Sequence, residues 1–187
     1  MIFFKGKYMS AGKILFVIAN EGFQPIEYHE PKKILEDAGF TVITASDKEQ
    51  AATDKDGAPV TVDLTLDQVK ASEYDGIFFI GGPGALDHLD NEKSYRIIKA
   101  ADKKNLPLGA ICIATRILAK AGALTRKKAT GWNGDNELEK IYATYDVFYL
   151  PEPVVVEENI ITAVGPDAAK LFGQEIVALL HNNKGWG

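Results

Sequence analysis

Continuous apolar runs alternate with helix-like segments along the chain, and this alternation restricts the possible fold more than any other feature. Residues 13–19 (KILFVIA), 76–80 (GIFFI) and 106–111 (LPLGAI) each read as a strand with both faces buried. The segments between them have helical patterns, and two of these end at glycines, Gly39 and Gly122. This order predicts an α/β fold, a three-layer sandwich with a mainly parallel central sheet.

The remaining elements are predicted from shorter patterns. A helix is predicted over residues 24–38, and Pro31 inside it predicts a kink or a restart. Residues 50–64, around Asp56 and Gly57, predict a small hairpin or an irregular excursion. Residues 145–150 and 154–156 are predicted strands that pair with each other in antiparallel fashion. Other strands are predicted at residues 40–46, 128–130 and 160–164, and other helices at 94–105, 113–121 and 168–182.

The composition is that of one ordinary globular domain. The chain has 187 residues, 46% hydrophobic and 25% charged, with a net charge of -5. We expect a flexible extension over residues 1–12, with Met9 as an alternative start, and a single domain over residues 13–187. One cysteine forms no internal disulfide and no apolar run is long enough for a membrane span, so we expect a soluble cytoplasmic protein without a membrane partner. The lack of lysine and arginine runs argues against a nucleic-acid partner.

Ligands of such α/β folds bind beyond the carboxyl ends of the strands. In this chain those segments contain an acidic helix start, a glycine cluster (residues 81–84), the only cysteine, and one of two tryptophans. The sequence therefore predicts a site at this edge of the sheet. The segments concerned are residues 20–27, 81–84, 112, 131–135 and 165–167.

Cys112 stands where a predicted strand meets a predicted helix. At such a turn, the helix N-terminus and its unpaired N–H groups lower the pKa of a thiol and favour the reactive thiolate. The N–H groups that follow Cys112, together with that of Gly82, are candidate oxyanion donors. The alternative is that Cys112 is a small buried hydrophobic residue and that the glycine cluster is a plain tight turn.

Glu27, early in the first predicted helix, is the candidate acid, and Glu21 and Glu30 are its rivals. A carboxylate at a helix N-terminus is commonly only a favourable charge on the helix dipole. A buried Glu27 facing a thiolate would instead have a raised pKa, keep its proton, and donate a hydrogen bond to the sulfur or act as a general acid or base.

Histidine and cofactor motifs are missing around this cysteine. His29, His88 and His181 do not adjoin Cys112, although a Cys–His pair can form through space. Without an HxxxH motif or a Cys/His cluster, we expect no metal. The glycine cluster has neither P-loop nor GxGxxG spacing, so a nucleotide role lacks support, and we predict no cofactor.

Five segments, in this order, resemble the ThiJ/PfpI family of the class I glutamine amidotransferase-like superfamily. The resemblance implies a flavodoxin-like fold with Cys112 on a nucleophile elbow and Glu27 as the acid that hydrogen-bonds the thiol. It also implies an oxyanion hole made by the N–H groups of Gly82 and Ile113, and a homodimer or higher homo-oligomer. The segments are KILFVIANEGFQPIEYHEPKKILEDAG, YDGIFFIGGPGA, GAICIATRILAKAGAL, KKATGW and ITAVGP.

The chain departs from the family pattern at two positions that often hold histidine. Ile113 follows the cysteine, where protease-like members have histidine, and Trp132 stands where another group has one. Both differences disfavour a Cys–His dyad and a peptidase or amidase. Gly81, Trp132 and Asp135 are further candidate pocket residues, with Asp135 as a substitute polar group and Trp132 as a lid that restricts the pocket to small substrates.

Two classes of function fit these residues. The first is a glyoxalase- or deglycase-like enzyme for small reactive carbonyl compounds or their adducts on proteins, with Cys112 as the nucleophile and Glu27 as the proton relay. The second is a non-catalytic redox or stress-protective protein in which Cys112 is oxidised to a sulfinate.

Overall fold

Twelve strands and six α-helices lie within residues 12–183, the part of the chain that the computed structural model describes. Of the extension predicted for residues 1–12, only Gly12 falls in this part, and it begins the first strand. The strands are β1 Gly12–Ile18, β2 Glu21–Phe23, β3 Phe40–Ser46, β4 Ala51–Asp54, β5 Pro59–Thr61, β6 Leu64–Thr65, β7 Gly76–Phe79, β8 Leu108–Ile111, β9 Lys128–Ala129, β10 Phe148–Tyr149, β11 Val154–Glu157 and β12 Ile160–Ala163. The helices are α1 Pro25–Asp37, α2 Ala85–Leu89, α3 Glu92–Lys103, α4 Thr115–Lys120, α5 Leu138–Thr144 and α6 Ala169–Asn183.

Seven of the described strands form the main sheet, in the order β11-β12-β8-β7-β1-β3-β6. Neighbouring strands are parallel, except that β11 runs antiparallel to β12. Strands β7 and β8 are buried along their whole length, as the apolar runs predict for central strands covered on both faces. The prediction of a mainly parallel α/β sheet is confirmed.

Helices cover both faces of this sheet and complete the three layers. Phe16 and Phe78 belong to the apolar cluster under α1 and α6, whereas Leu15 and Ile77 belong to the cluster under α3 and α4. This division follows from the alternation of side chains along a strand. The arrangement places the helix starts at the carboxyl edge of the sheet. No helix within residues 12–183 has the length and apolar character needed to cross a bilayer.

Helix α1 runs through Pro31 as one helix, so the predicted restart is not found. It packs against α6 at Gly173, where an added Cβ would stand 2.8 Å from the Pro31 Cα atom. The lack of a side chain at Gly173 therefore lets the two helices approach closely at the proline.

The hairpin predicted within residues 50–64 is present as the antiparallel pair β4–β5. Asp54 organises its turn, because its Oδ1 atom accepts hydrogen bonds from the Asp56 and Ala58 N–H groups (2.8 and 3.0 Å). Gly57 takes the φ of +92° that the turn requires. Strand β2 joins β4, and this three-stranded sheet holds the chain between β1 and α1.

The pairing predicted between residues 145–150 and 154–156 is wrong. Strand β10 instead pairs in parallel with β9, and β11 pairs antiparallel with β12 of the main sheet. Pro151 and Pro153 separate β10 from β11, and proline supplies no N–H to a strand ladder. A short turn with Glu158 at a φ of +55° makes β11 and β12 the hairpin.

Candidate active site

Cys112 occupies a strained turn between β8 and α4. Its φ is +62°, in the left-handed region that costs a non-glycine residue about 1 kcal/mol or more. The Cys112 carbonyl oxygen accepts hydrogen bonds from the Thr115 N–H, the Thr115 hydroxyl (3.0 Å) and the Trp132 N–H (3.3 Å). This geometry is the predicted nucleophile elbow, and it raises the sulfur at the carboxyl edge of the sheet.

Glu27 lies in the first turn of α1 and is completely buried. Its Oε2 atom accepts a hydrogen bond from the Gly81 N–H (3.0 Å). Its Oε1 atom and the Cys112 sulfur border the same small space beside Gly165. A Cβ added at Gly165 would lie 3.8 Å from Glu27 Oε1 and 4.0 Å from the Cys112 sulfur. The carboxyl group interacts with the thiol, although no described donor reaches Oε1 in full hydrogen-bonding geometry. The rivals Glu21 and Glu30 are exposed, so burial singles out Glu27.

The two titratable groups affect each other strongly. Burial raises the pKa of Glu27 from 4.5 to about 7, although contacts with Cys112 and the Gly81 N–H lower it in part. Burial, and then the negative charge of Glu27, raise the pKa of the Cys112 thiol to about 12. The N–H groups of Ile113 and Gly82 act in the opposite direction. The prediction that the elbow lowers the thiol pKa is therefore wrong, because burial and the charge of Glu27 outweigh the two N–H groups.

The glycine cluster is required by close packing rather than by turn geometry alone. A Cβ at Gly81 would stand 2.6 Å from both the Cys112 Cβ and Glu27 Oε2, so it would fall between the acid and the thiol. Gly82 has a φ of +124°, and a Cβ there would stand 2.7 Å from the Phe23 carbonyl carbon. The Gln24 N–H donates to the Gly81 oxygen (2.9 Å), which ties this turn to the start of α1.

A cavity of about 300 Å³ opens over the sulfur. Three of its lining residues, Cys112, Gly82 and Ile113, are those expected to supply the nucleophile and the oxyanion donors. Glu27 and Gly81 are buried and do not line the cavity, so Gly81 is not the pocket residue that was predicted. Gln24 and Pro166 were not predicted individually, although both fall in segments at the strand ends. The lining residues are Gln24, Gly82, Pro83, Cys112, Ile113, Trp132 and Pro166.

Asp135 does not line this cavity, and its carboxylate instead binds Arg116. The guanidinium Nη1 and Nη2 atoms donate to Asp135 Oδ2 and Oδ1 at 2.9 and 2.7 Å, and this ion pair lowers the pKa of Asp135. Arg116, only 4% exposed, was missed by sequence reasoning. The available signal was a single arginine inside the apolar segment 113–121.

The histidines lie apart from the cavity. His88 Nδ1 is 2.7 Å from Asp47 Oδ2, the His29 ring packs against Tyr28, and the His181 ring lies near Phe40. None of the three lines the cavity over Cys112. Within residues 12–183, no group of three histidine, cysteine or acidic residues is arranged to hold a metal ion.

Comparison with known proteins gives consistent matches over nearly the whole chain. The model of the DJ-1/PfpI family matches residues 12–179. An uncharacterized protein of Methanocaldococcus jannaschii is 33% identical over 180 residues, which are 96% of this chain and 87% of the relative. An uncharacterized protein of Staphylococcus aureus is 34% identical over 172 residues, 90% of this chain and 98% of the relative. The crystal structure of a ThiJ/PfpI domain protein from Brachyspira murdochii superposes with a TM-score of 0.86 at 30% identity, covering 91% of this chain and 96% of that one.

Proposed function

The chain belongs to the DJ-1/PfpI family, and on that premise we propose that it is a cysteine-dependent enzyme acting on small reactive carbonyl compounds. Cys112 is the nucleophile and Glu27 is the proton relay. One observation carries the proposal: a completely buried carboxyl group lies beside the only thiol, on a strained elbow under a small cavity. A structural cysteine requires neither the buried acid nor the strained backbone.

The first step is the addition of sulfur to the aldehyde carbon of an α-oxoaldehyde. Glu27 accepts the thiol proton as the C–S bond forms, and it returns this proton to the new alkoxide. The N–H groups of Gly82 and Ile113, which already interact with the sulfur, are positioned to stabilise that oxygen while it carries charge. A pKa of about 7 suits Glu27 to both halves of this transfer near neutral pH.

The second step moves a proton between adjacent carbons. The Glu27 carboxylate removes the hydrogen from the former aldehyde carbon, which gives an enediol, and delivers a proton to the neighbouring carbon. The hydroxyl proton of the former aldehyde oxygen passes to the neighbouring oxygen, and the hemithioacetal thereby becomes a thioester of a 2-hydroxy acid. Water then cleaves the C–S bond and releases a 2-hydroxy acid and the free thiol. The net reaction adds one water to the α-oxoaldehyde, so it needs no redox partner. A cavity of about 300 Å³ favours small α-oxoaldehydes as substrates.

The test is formation of lactate from methylglyoxal by the purified chain. Cys112→Ala and Glu27→Gln are expected to lose the activity, because each removes one of the two reacting groups. Glu30→Gln, an exposed acid on the same helix, is the matched control and is expected to retain it. A panel of α-oxoaldehydes that gives no hydroxy acid with the wild-type chain would remove this proposal.

A second candidate is a redox-responsive protein, favoured by the two N–H groups that interact with the Cys112 sulfur. They would also hold a sulfinate, formed when two equivalents of hydrogen peroxide oxidise the thiol and are reduced to water. Peroxide treatment is then expected to add two oxygen atoms at Cys112 without unfolding the chain. Oxidation at other residues while Cys112 stays a thiol would exclude this candidate. The lack of a histidine in the cavity disfavours a peptidase or amidase.

A further inference from the structure

A second cavity lies beside the one that opens over Cys112. Its volume is about 410 Å³, and it shares Trp132 and Pro166 with the catalytic cavity. Trp132 therefore forms part of the wall between the two spaces. Its side chain is not fixed by burial, because the residue is 36% exposed. The remaining lining residues are Gly131, Asn133, Tyr149, Val164, Gly165 and Asp167.

Arg116 contacts both the backbone and the indole ring of Trp132. Its Nη2 atom donates to the Trp132 carbonyl oxygen (3.3 Å), and its guanidinium carbon lies 5.6 Å from the centre of the indole ring. Both guanidinium Nη atoms also bind Asp135, three residues further along the same loop. Gly134 lets the loop fold against the indole, since a Cβ there would stand 2.6 Å from the ring atom Cζ2.

The burial of Arg116 carries a desolvation cost in free energy. A buried charge needs full pairing to offset its desolvation, yet Nε has no hydrogen-bonding partner within the described chain, and the side chain of Asp135 is 37% exposed. A well-packed apolar residue at this position of α4 would avoid that desolvation cost. A guanidinium, in contrast, is able to bind a carboxylate, a carbonyl oxygen and an aromatic face at once.

We propose that Arg116 is a positioning residue that holds Trp132 as the wall between the catalytic cavity and the second cavity, and that this wall limits the substrates to small carbonyl compounds. The size limit on substrates rests on the proposed enzymatic function. The limit on access to the Cys112 sulfur does not, so the two are tested separately. Removal of the indole joins the cavities and admits a bulkier electrophile to the thiol.

Access is measured as the alkylation rate of Cys112, the only cysteine in the chain, by iodoacetamide and by a naphthyl-bearing iodoacetamide. Trp132→Ala is expected to raise the ratio of the bulky to the small reagent rate by about tenfold. Trp132→Phe is expected to raise it less, because a ring still fills part of the wall. Arg116→Lys and Asp135→Asn are expected to raise it in the same direction, since neither keeps the paired fork. Glu158→Gln, which breaks the distant ion pair with Lys127, is the matched control with an unchanged ratio.

The same variants are followed by urea denaturation and by turnover of methylglyoxal and phenylglyoxal. An unchanged alkylation ratio in Trp132→Ala overturns the proposal that Trp132 limits access to the Cys112 sulfur. A lower stability of Asp135→Asn and Arg116→Lys with an unchanged ratio overturns the positioning role and leaves Arg116 purely structural. A changed ratio without turnover of any aldehyde supports the wall while the proposed enzymatic function fails. A shift in the turnover preference towards phenylglyoxal supports both.

Discussion

Replacement of Glu27 by glutamine is expected to stabilise the fold at the pH where the wild-type chain would act. Glutamine has the same shape and can still accept the hydrogen bond from the Gly81 N–H, but it carries no charge to be buried. The carboxylate of Glu27 is completely buried and faces a thiol rather than a cation. The buried carboxylate of Glu27 is therefore expected to destabilise the folded chain.

The magnitude follows from the pKa of Glu27. A rise from 4.5 to about 7 corresponds to roughly 3 kcal/mol at 25 °C. Between these two values the folded chain keeps a proton that the unfolded chain releases, so the free energy of unfolding falls as the pH rises through this window. The full cost is present above about pH 7, and it is absent below pH 4.5.

Urea denaturation of the wild type and Glu27→Gln at pH 5, 6, 7 and 8 measures this cost. The advantage of the variant is expected to grow by roughly 2 to 3 kcal/mol between pH 5 and pH 8. The pH-dependent difference is the useful quantity, because it cancels any fixed difference in packing between the two side chains. Glu30→Gln, exposed on the same helix, is expected to stay parallel to the wild type.

A difference between wild type and Glu27→Gln that stays constant within about 0.5 kcal/mol over this range would refute the reasoning. It would mean that the folded chain binds the Glu27 proton no more tightly than the unfolded chain. The proposed role of Glu27 as a proton relay would then lose its physical basis.

Three further predictions concern the same elbow. Glu27→Gln is expected to speed the alkylation of Cys112 at pH 8. Burial, the larger cause of the raised thiol pKa, remains in the variant, but the charge of Glu27, the second cause, is removed, so the thiolate fraction increases. Slower alkylation than in Glu30→Gln would contradict this. Gly81→Ala is expected to destabilise the fold by about 1 to 3 kcal/mol through crowding of Cys112 and Glu27. Gly57→Ala is its control, with a Cβ in open space and only the cost of a positive φ, about 1 kcal/mol; equal losses of unfolding free energy in the two variants would argue against the crowding. Cys112→Gly is expected to be at least as stable as Cys112→Ala, by up to about 1 kcal/mol, because glycine relieves the φ of +62°. A clearly more stable alanine variant, measured by urea denaturation, would show that the elbow is not strained.

The sequence was sufficient for the elements in which local pattern and burial coincide. The apolar runs that became β1, β7 and β8 predicted central strands, because a strand covered on both faces needs apolar residues at every position. The same reasoning placed Cys112 on the elbow, and the family resemblance paired it with Glu27. Parallel strands bring their carboxyl ends to one edge, so residues distant in the sequence were expected together there.

Other features depended on contacts that no local pattern encodes. The partners of β10 and β11 were predicted wrongly, since strands of two to four residues carry little information about register or neighbour. Arg116 and Asp135 are 19 residues apart, and only the folded loop makes them a pair. Asp135 alone therefore looked like a free polar group for the pocket.

The sequence by itself determined the α/β class, the edge of the sheet that carries the site, and the thiol at the strand-to-helix turn. Tertiary structure alone decided the electrostatics and the shape of that site. The pKa of Cys112 depends on its own burial and on the charge of Glu27 beside it, and the shape of the cavity depends on the position of Trp132, which Arg116 contacts. Desolvation and packing arise from all the surrounding elements at once, whereas hydrophobic periodicity is a property of each segment alone.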